Sequence, residues 1–284
     1  MKTKKVPIIK ASLLKNIPTD ILKTEYLKRA NKEMIDSVLN QELSITLKKG
    51  QRIFFFTDTH FPYHLENIFD YFTAIVKKHN ITKNDIIICG GDEVDLACLS
   101  FHPKNPKMFS SSDELHLSAH YLKVLYKMFP NMLLCYSNHG SLVYRKAAWA
   151  GMNDDLVKDL NTIWGVGKGW KWADRIFITM ANGKKMMFIH NLTQNIENNI
   201  IARGISIIQG HFHSKLGIIF RMLEGGKHIF GINGGCLANQ KHPAFSYAKY
   251  QKDKWQHGSF LIEESGVTFI EYKIDSNNNW TGQL

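Results

Sequence analysis

Short apolar runs alternate with polar loops and amphipathic stretches along the first two thirds of the chain. Ile53-Phe54-Phe55-Phe56, Ile86-Ile87-Ile88-Cys89 and Met132-Leu133-Leu134-Cys135 are continuously apolar over four residues. That pattern fits strands buried on both faces. Helical spacing over 65–79 and 113–129 places a helix after the first strand and another after the second. Strand, polar loop and helix repeat, which predicts α/β (α+β) layering. Beyond residue 170 the pattern turns strand-rich. Arg175–Met180 and Lys185–Ile189 read as a hairpin about Asn182-Gly183, a strong turn signal. Further strands are expected at 205–209, 216–221, 228–232, 259–263 and 267–273.

Ahead of the first strand, Ile21, Leu22, Tyr26, Leu27, Met34, Ile35 and Val38 recur at helical spacing among charged residues. Residues 1–46 are therefore expected to form a basic helical extension, residues 47–275 the main domain, and 276–284 an irregular tail.

The formal charge is +11, with 44% hydrophobic residues, enough for a core and against disorder. Residues 1–50 hold eleven Lys/Arg against five Asp/Glu. The front thus carries more than half the surplus, and a basic surplus favours polyanionic partners. No apolar run reaches the roughly twenty residues of a membrane span, and the N-terminus has no secretory pattern. The four cysteines form no C-x-x-C pair and are read as reduced thiols. A cytoplasmic protein without membrane contact is expected; if phage-encoded, it would occupy the host cytoplasm.

Candidate chemistry sits just past the strands. Asp58 and His60 follow the first, Asp92 the second, and Asn138 and His139 the third. His190 follows Met186–Ile189, and His211 and His213 follow Ile207–Gly210. Ligands of open α/β sheets gather at the carboxyl ends of strands. Side chains two apart in a strand-like segment project the same way, so Asp58 and His60, or His211 and His213, are expected to reach one region together. Asp, His and Asn offer oxygen and imidazole nitrogen, which suit divalent Mn, Fe or Zn. A carboxylate such as Asp92 can bridge two cations about 3.5–4 Å apart, the arrangement used in phosphoester displacement.

The ordered series Asp58-x-His60, Gly91-Asp92-x-x-Asp95, Asn138-His139, His190 and Gly210-His211-x-His213 resembles the calcineurin-like metallophosphoesterase superfamily, and the branch common in bacteriophages and bacterial mobile elements. The resemblance implies a β-sandwich flanked by helices. It also implies two divalent metal ions, manganese before iron, zinc or nickel. Asp58, His60, Asp92 and His213 would hold one ion, and Asp92, Asn138, His190 and His211 the other. A hydroxide bridging the pair would be the nucleophile. His139 would stand beside the scissile phosphate, and Asp95 would fix the Asn138–His139 loop. The sequence departs from the family at Ser137 and Gly140: Gly usually precedes the Asn-His pair and an acidic residue usually follows it. His64, His102, His116, His120, His242 and His257 fit no ligand position. His102, Arg145 and His257 are kept as candidates for contact with substrate.

Those features point first to a phosphodiesterase or nuclease acting on DNA. The basic front would supply phosphate contacts, and Trp149, Trp164, Trp170 and Trp172 would stack bases unless they pack in the core. The alternatives are a nucleotide phosphomonoesterase or small-molecule (cyclic nucleotide) phosphodiesterase, and, from another class, a non-catalytic binding protein on the same fold. Nucleic acid or nucleotide is the expected substrate, and a homodimer through 1–46 the expected assembly if there is one.

Overall fold

The computed structural model describes residues 39–100, 108–152, 154–248, 254–276 and 279–284. The helix expected before residue 39 and the candidate His102 lie outside the described residues. Among the described residues twelve strands form two six-stranded mixed sheets. Sheet I has the order β12-β11-β2-β3-β4-β5, built from β2 (Ile53–Phe56), β3 (Ile86–Cys89), β4 (Met132–Cys135), β5 (Trp170–Ala173), β11 (Gly258–Ile262) and β12 (Val267–Glu271). Sheet II has the order β1-β6-β7-β8-β10-β9, built from β1 (Glu42–Thr46), β6 (Arg175–Thr179), β7 (Lys185–Ile189), β8 (Ser206–Gln209), β9 (Gly217–Leu223) and β10 (Lys227–Asn233).

Period-2 alternation assigns each strand residue to one of two cores. Ile53 and Phe55 of β2, Ile88 of β3, Leu133 and Cys135 of β4 and Phe260 of β11 meet Ile176, Ile178, Phe188, Ile208 and Ile232 of sheet II between the sheets. Phe54, Phe56, Ile87, Cys89, Met132 and Leu134 point the other way, into a core closed by helices. Apolar runs without polar interruption arise because both faces are covered. The aromatic rings tile at contact distance: Phe55 and Phe188 join the two sheets at 5.6 Å, and Phe56 meets Phe72 at 4.8 Å.

Helices α1 (Ile68–Lys78) and α2 (Ser111–Met128) cover sheet I. In α1, Ile68, Tyr71, Phe72 and Ile75 recur at i, i+3, i+4 and i+7, a stripe one face wide. Ser110 caps α2 by accepting the Asp113 N–H. Glu114, wholly buried on α2, accepts the backbone N–H groups of Ala97 and Cys98, each at 2.7 Å, and so anchors the segment that follows Asp95. The short helices α3 (Leu142–Trp149) and α4 (Leu160–Trp164) follow β4. Helix α5 (Ile196–Arg203) packs Ile196 and Ile200 on the outer face of sheet II against Met187, Ile207 and Ile229. It begins at Asn195, whose side chain accepts the Asn198 N–H, and ends at left-handed Gly204.

One feature differs from the sequence expectation. Residues 42–46, expected within the helical extension, form an edge strand parallel to β6, with Glu42 opposite Arg175 and Thr46 opposite Thr179. Trp170 and Trp172 lie in β5, parallel to β4. With Trp164 they are 1–8% exposed, so three of the four tryptophans considered for base stacking are core residues. Trp149 is the exception, 66% exposed with the Lys146 ammonium 5.6 Å from its ring. The tail 276–284 has no strand or helix among its described residues, yet it returns to the domain: the Trp280 ring lies 5.9 Å from that of Tyr71, and Lys78 donates to the Leu284 carbonyl. The four cysteines are buried. Among the described residues no helix is long and apolar enough to cross a membrane.

Candidate metal centre

Five loops leave the carboxyl ends of β2, β3, β4, β7 and β8 and meet at one edge of the sandwich. They are laced to one another through the backbone. Asp58 N–H donates to Gly91 O, His60 N–H to Asp92 O, Phe61 N–H to Glu93 O and Gly210 N–H to His190 O, at 2.9–3.0 Å. Asp58, His60, Asp92 and His211 all have left-handed backbones, with φ of 54°, 48°, 49° and 69°. Positive φ is uncommon outside glycine, and four instances at one site mark a constrained backbone region. Gly210 is needed because a Cβ there would strike the Thr57 hydroxyl and the Asp58 carboxylate.

The seven candidate ligands converge as two donor groups. Asp58, His60, Asp92 and His213 bring one ligand atom each to within 4.8 Å of one another, and Asp92, His190 and His211 do the same. Asp92 belongs to both groups. Asn138 joins the second, its Oδ1 lying 2.8 Å from His190 Nε2 and 3.0 Å from His211 Nδ1. The i, i+2 expectation holds for Asp58 and His60, although neither is strand-like. His211 and His213 also reach one region: both line the same pocket, His213 in the group with Asp58 and His211 in the group with His190.

The lone pairs point inward. His60 Nδ1 lies 2.8 Å from Asp95 Oδ2 and donates to it, which leaves Nε2 as an acceptor. That nitrogen faces His213 Nε2 at 3.2 Å, Asp92 Oδ2 at 3.5 Å and Asp58 Oδ1 at 3.8 Å. His190 Nδ1 donates to the Gly90 carbonyl at 2.9 Å, so its Nε2 turns an acceptor towards Asn138 Oδ1 and, at 3.3 Å, Asp92 Oδ2. Carboxylate, amide and imidazole atoms crowd together in both groups and require positive charge among them, from protons on the imidazoles or from a cation in their place. The protonation equilibria place that charge on the imidazoles. Burial opposes a charged His60, yet the bonds to Asp58 and Asp95 hold it up at about 10. Burial likewise opposes a charged His190, and the Asp92 carboxylate holds it at about 9. Burial opposes ionisation of Asp92, but His190 and His139 keep it well below the usual carboxylate range. The donor set is three His nitrogens, an amide and two carboxylates with one further His, a mixture that fits borderline divalent ions.

His139 is outside both shared-Asp92 groups. Its N–H donates to Asp92 Oδ1 at 3.1 Å, and its Nδ1 donates to the Asp95 carbonyl at 2.5 Å, which leaves Nε2 free. It lines an open pocket of about 280 Å³ with Asp92, Asn138, His211, Phe212, His213 and Trp255. Asp95 was expected to fix the Asn138–His139 loop. It holds His139 through its carbonyl, while its carboxylate is committed to His60 and lies 3.9 Å from His139 Nδ1.

Of the candidates for substrate contact, Arg145 donates to the Asn138 carbonyl at 3.1 Å, supporting that loop from behind. His257 lies beside the Cys236 carbonyl at 3.0 Å and lines a groove of about 680 Å³ between β9 and β12. Trp255 walls both this groove and the metal pocket, its ring 4.2 Å from that of His213. Phe245 stands against His60 at 5.5 Å and Trp255 at 4.9 Å. Neither Trp255 nor Phe245 was picked out from sequence as a site residue; an aromatic in a loop carries no spacing signal. Glu93 was also missed. It is 1% exposed, and burial, with Asp92 beside it, pushes its carboxyl up to about 7.

No family model matches the sequence, and no curated protein matches it. Among solved structures, the chain is similar to a protein serine/threonine phosphatase from Saccharomyces cerevisiae with similarity to human phosphatase PP5. The identity is 12% over 95% of this chain and 98% of that one, with a TM-score of 0.38. It is also similar to the NAD nucleotidase (NadN) of Haemophilus influenzae, at 11% identity over 82% of this chain with a TM-score of 0.35; the match covers 53% of that structure. Both likenesses are remote.

Proposed function

We propose that the chain is a two-metal-dependent phosphoesterase, and that its substrate is a phosphodiester of nucleic acid, DNA first. The observation that carries the reading is the sharing of Asp92 between two donor groups, the arrangement that sets two cations side by side. In this reading Asp58, His60, Asp92 and His213 hold one divalent ion, and Asp92, Asn138, His190 and His211 the other. When bound, such a pair supplies Lewis acidity to the phosphoryl oxygens and lowers the pKa of water held there.

The chain's own residues do the rest. Asp95 fixes the His60 tautomer, and the Gly90 carbonyl fixes that of His190, so each presents Nε2 to an ion. His139, tied at Nδ1 to Asp95, presents Nε2 to the phosphoryl group; as an imidazolium, with a proton on each ring nitrogen, it would stabilise developing charge and deliver its Nε2 proton to the leaving oxygen. The Asp92–His139 backbone bond keeps that imidazole in register with the ligands.

The DNA reading is supported by the +11 charge and by the groove that adjoins the pocket at Trp255, room for a substrate extending beyond one phosphate. The 280 Å³ pocket by itself also suits a nucleotide or other small phosphoester. One incubation with Mn²⁺, end-labelled DNA and a 5′-deoxynucleotide separates them. Shortened DNA without free phosphate supports the nuclease. Free phosphate with intact DNA supports the monoesterase. No cleavage of either, or of bis-p-nitrophenyl phosphate, with Mn²⁺, Fe²⁺, Zn²⁺ or Ni²⁺ would leave a non-catalytic binding protein and overturn the proposal.

A further inference from the structure

The loop from Tyr136 to Ser141 carries Asn138 and His139, and Gly140 lies immediately behind them. The side chain of Glu93, the residue after Asp92, reaches this loop at Gly140. Its backbone is pinned, because the Glu93 carbonyl accepts the Phe61 N–H at 3.0 Å and the Thr59 hydroxyl at 2.9 Å. The direction of the side chain is therefore set by the β3 loop.

A Cβ on residue 140 would lie 2.7 Å from Glu93 Oε1, 3.2 Å from Oε2 and 2.9 Å from the Ser137 hydroxyl. The Glu93 carboxyl thus occupies the volume that a side chain on residue 140 would enter. Gly140 has no positive φ, so its backbone does not demand glycine. It is the space that does. Neither carboxyl oxygen of Glu93 has a hydrogen-bond partner among the described residues. A buried carboxyl without partners is costly, so a stability role alone is a poor reason for its presence. Meanwhile the Ser137 hydroxyl accepts the Gly140 N–H at 3.0 Å, closing the loop on the same side.

We infer that Glu93 is a positioning residue: its carboxyl backs Gly140 and thereby sets the Asn138–His139 loop against the two donor groups, in place of a side chain on residue 140. Position 93 and position 140 then compete for one volume. A carboxyl fits there from either residue but not from both.

The test is a double-substitution cycle in the full chain, with Glu93→Ala, Gly140→Asp and the pair together. Its first readout is the melting temperature in EDTA, which requires neither metal nor turnover. Gly140→Asp is expected to lower it by roughly 3–10 °C when Glu93 is present and by less than half as much in the Glu93→Ala chain. Its second readout is Mn²⁺ affinity of the group containing Asn138. Glu93→Ala is expected to weaken it about tenfold, and the pair to restore it to within about threefold of the parent. The third readout, kcat for a phosphoester, rests on the proposed function; the same recovery is expected there, with KM moving less than kcat. Additive melting shifts, or a Gly140→Asp chain that folds no better in the Glu93→Ala background, overturn the inference. A parent that binds Mn²⁺ but hydrolyses nothing sinks the phosphoesterase reading instead, and leaves the first two readouts to decide this one.

Discussion

Asp95→Asn should weaken one metal site and spare the other. The Asp95 carboxylate accepts the His60 Nδ1–H at 2.8 Å, and that bond helps to hold His60 Nε2 turned towards Asp58, Asp92 and His213. Asparagine keeps the shape but removes the charge. Its amide can also turn its NH₂ to His60, which would move the ring proton to Nε2 and block that ligand. Loss of such an outer partner costs about 10–100-fold in metal affinity, or about 1.4–2.7 kcal/mol. The second group has a different set of supports. His190 is held by the Gly90 carbonyl, and His190 and His211 both meet Asn138 Oδ1. The Asp95 carbonyl, which takes the His139 Nδ1–H, is backbone and survives the change. Calorimetric titration of metal-stripped protein with Mn²⁺ should therefore show one site displaced 10–100-fold and one within about threefold of the parent. Turnover should recover at saturating metal. Equal weakening of both sites, or of neither, would refute the assignment of Asp95 to His60.

His139→Ala is expected to lower kcat by about 10²–10⁴-fold while both Mn²⁺ affinities stay within about threefold, since His139 lies outside the shared-Asp92 groups; parallel calorimetry and turnover check it. Gly210→Ala drives a methyl into Thr57 and the Asp58 carboxylate, so it should lower thermal stability by about 1–3 kcal/mol and weaken the site containing Asp58, read by melting and metal titration. Acid stability should depend on His64, caged by Phe61 and Tyr121 with rings 4.7 and 4.3 Å away and held by burial at about 4 despite its bond to the Pro62 carbonyl. Between pH 6.5 and 4 the unfolded chain takes up a proton that the folded chain refuses, so stability present above 6.5 falls with pH, by at most about 3 kcal/mol. Chemical denaturation of His64→Phe across that range should show a shallower fall than the parent, and an unchanged slope would remove His64 from the account.

What was legible in the sequence followed from burial. The strands β2, β3, β4, β7 and β8 are covered on both sides over nearly all their length, so they read as plain apolar runs, and each is followed by a candidate ligand. The edge strand β1 was hidden because Glu42–Thr46 alternates between exposed and half-buried positions, which leaves no apolar run. Trp-Lys-Trp in β5 left core packing and base stacking both open, because an exposed lysine separates two tryptophans that are buried in the core on the helix side of sheet I. Helix α5 is an eight-residue element in which Asn198 and Asn199 interrupt the apolar positions, so its docking on sheet II, not its own periodicity, defines it. At the site, the residues singled out past the strands are the ones that the structure brings together, while the division of His211 and His213 between two groups was implied by the family resemblance and not by their spacing.

Each donor group draws on both sheets. Asp58, His60 and Asp92 come from loops of sheet I and His213 from sheet II; Asp92 and Asn138 come from sheet I and His190 and His211 from sheet II. The candidate centre therefore spans the sandwich edge, and its internal distances depend on how far apart the two sheets pack. That separation is set by the inter-sheet core, with Phe55 against Phe188 directly beneath the loops that carry Asp58 and His190. Left-handed ligands, at about 1–3 kcal/mol each, persist because the loops hydrogen-bond to one another and the sheets hold those loops together. A cavity made at Phe55 would loosen both constraints at once. The apolar layer between the sheets is thus part of the geometry of the centre, although none of its side chains carries a ligand atom.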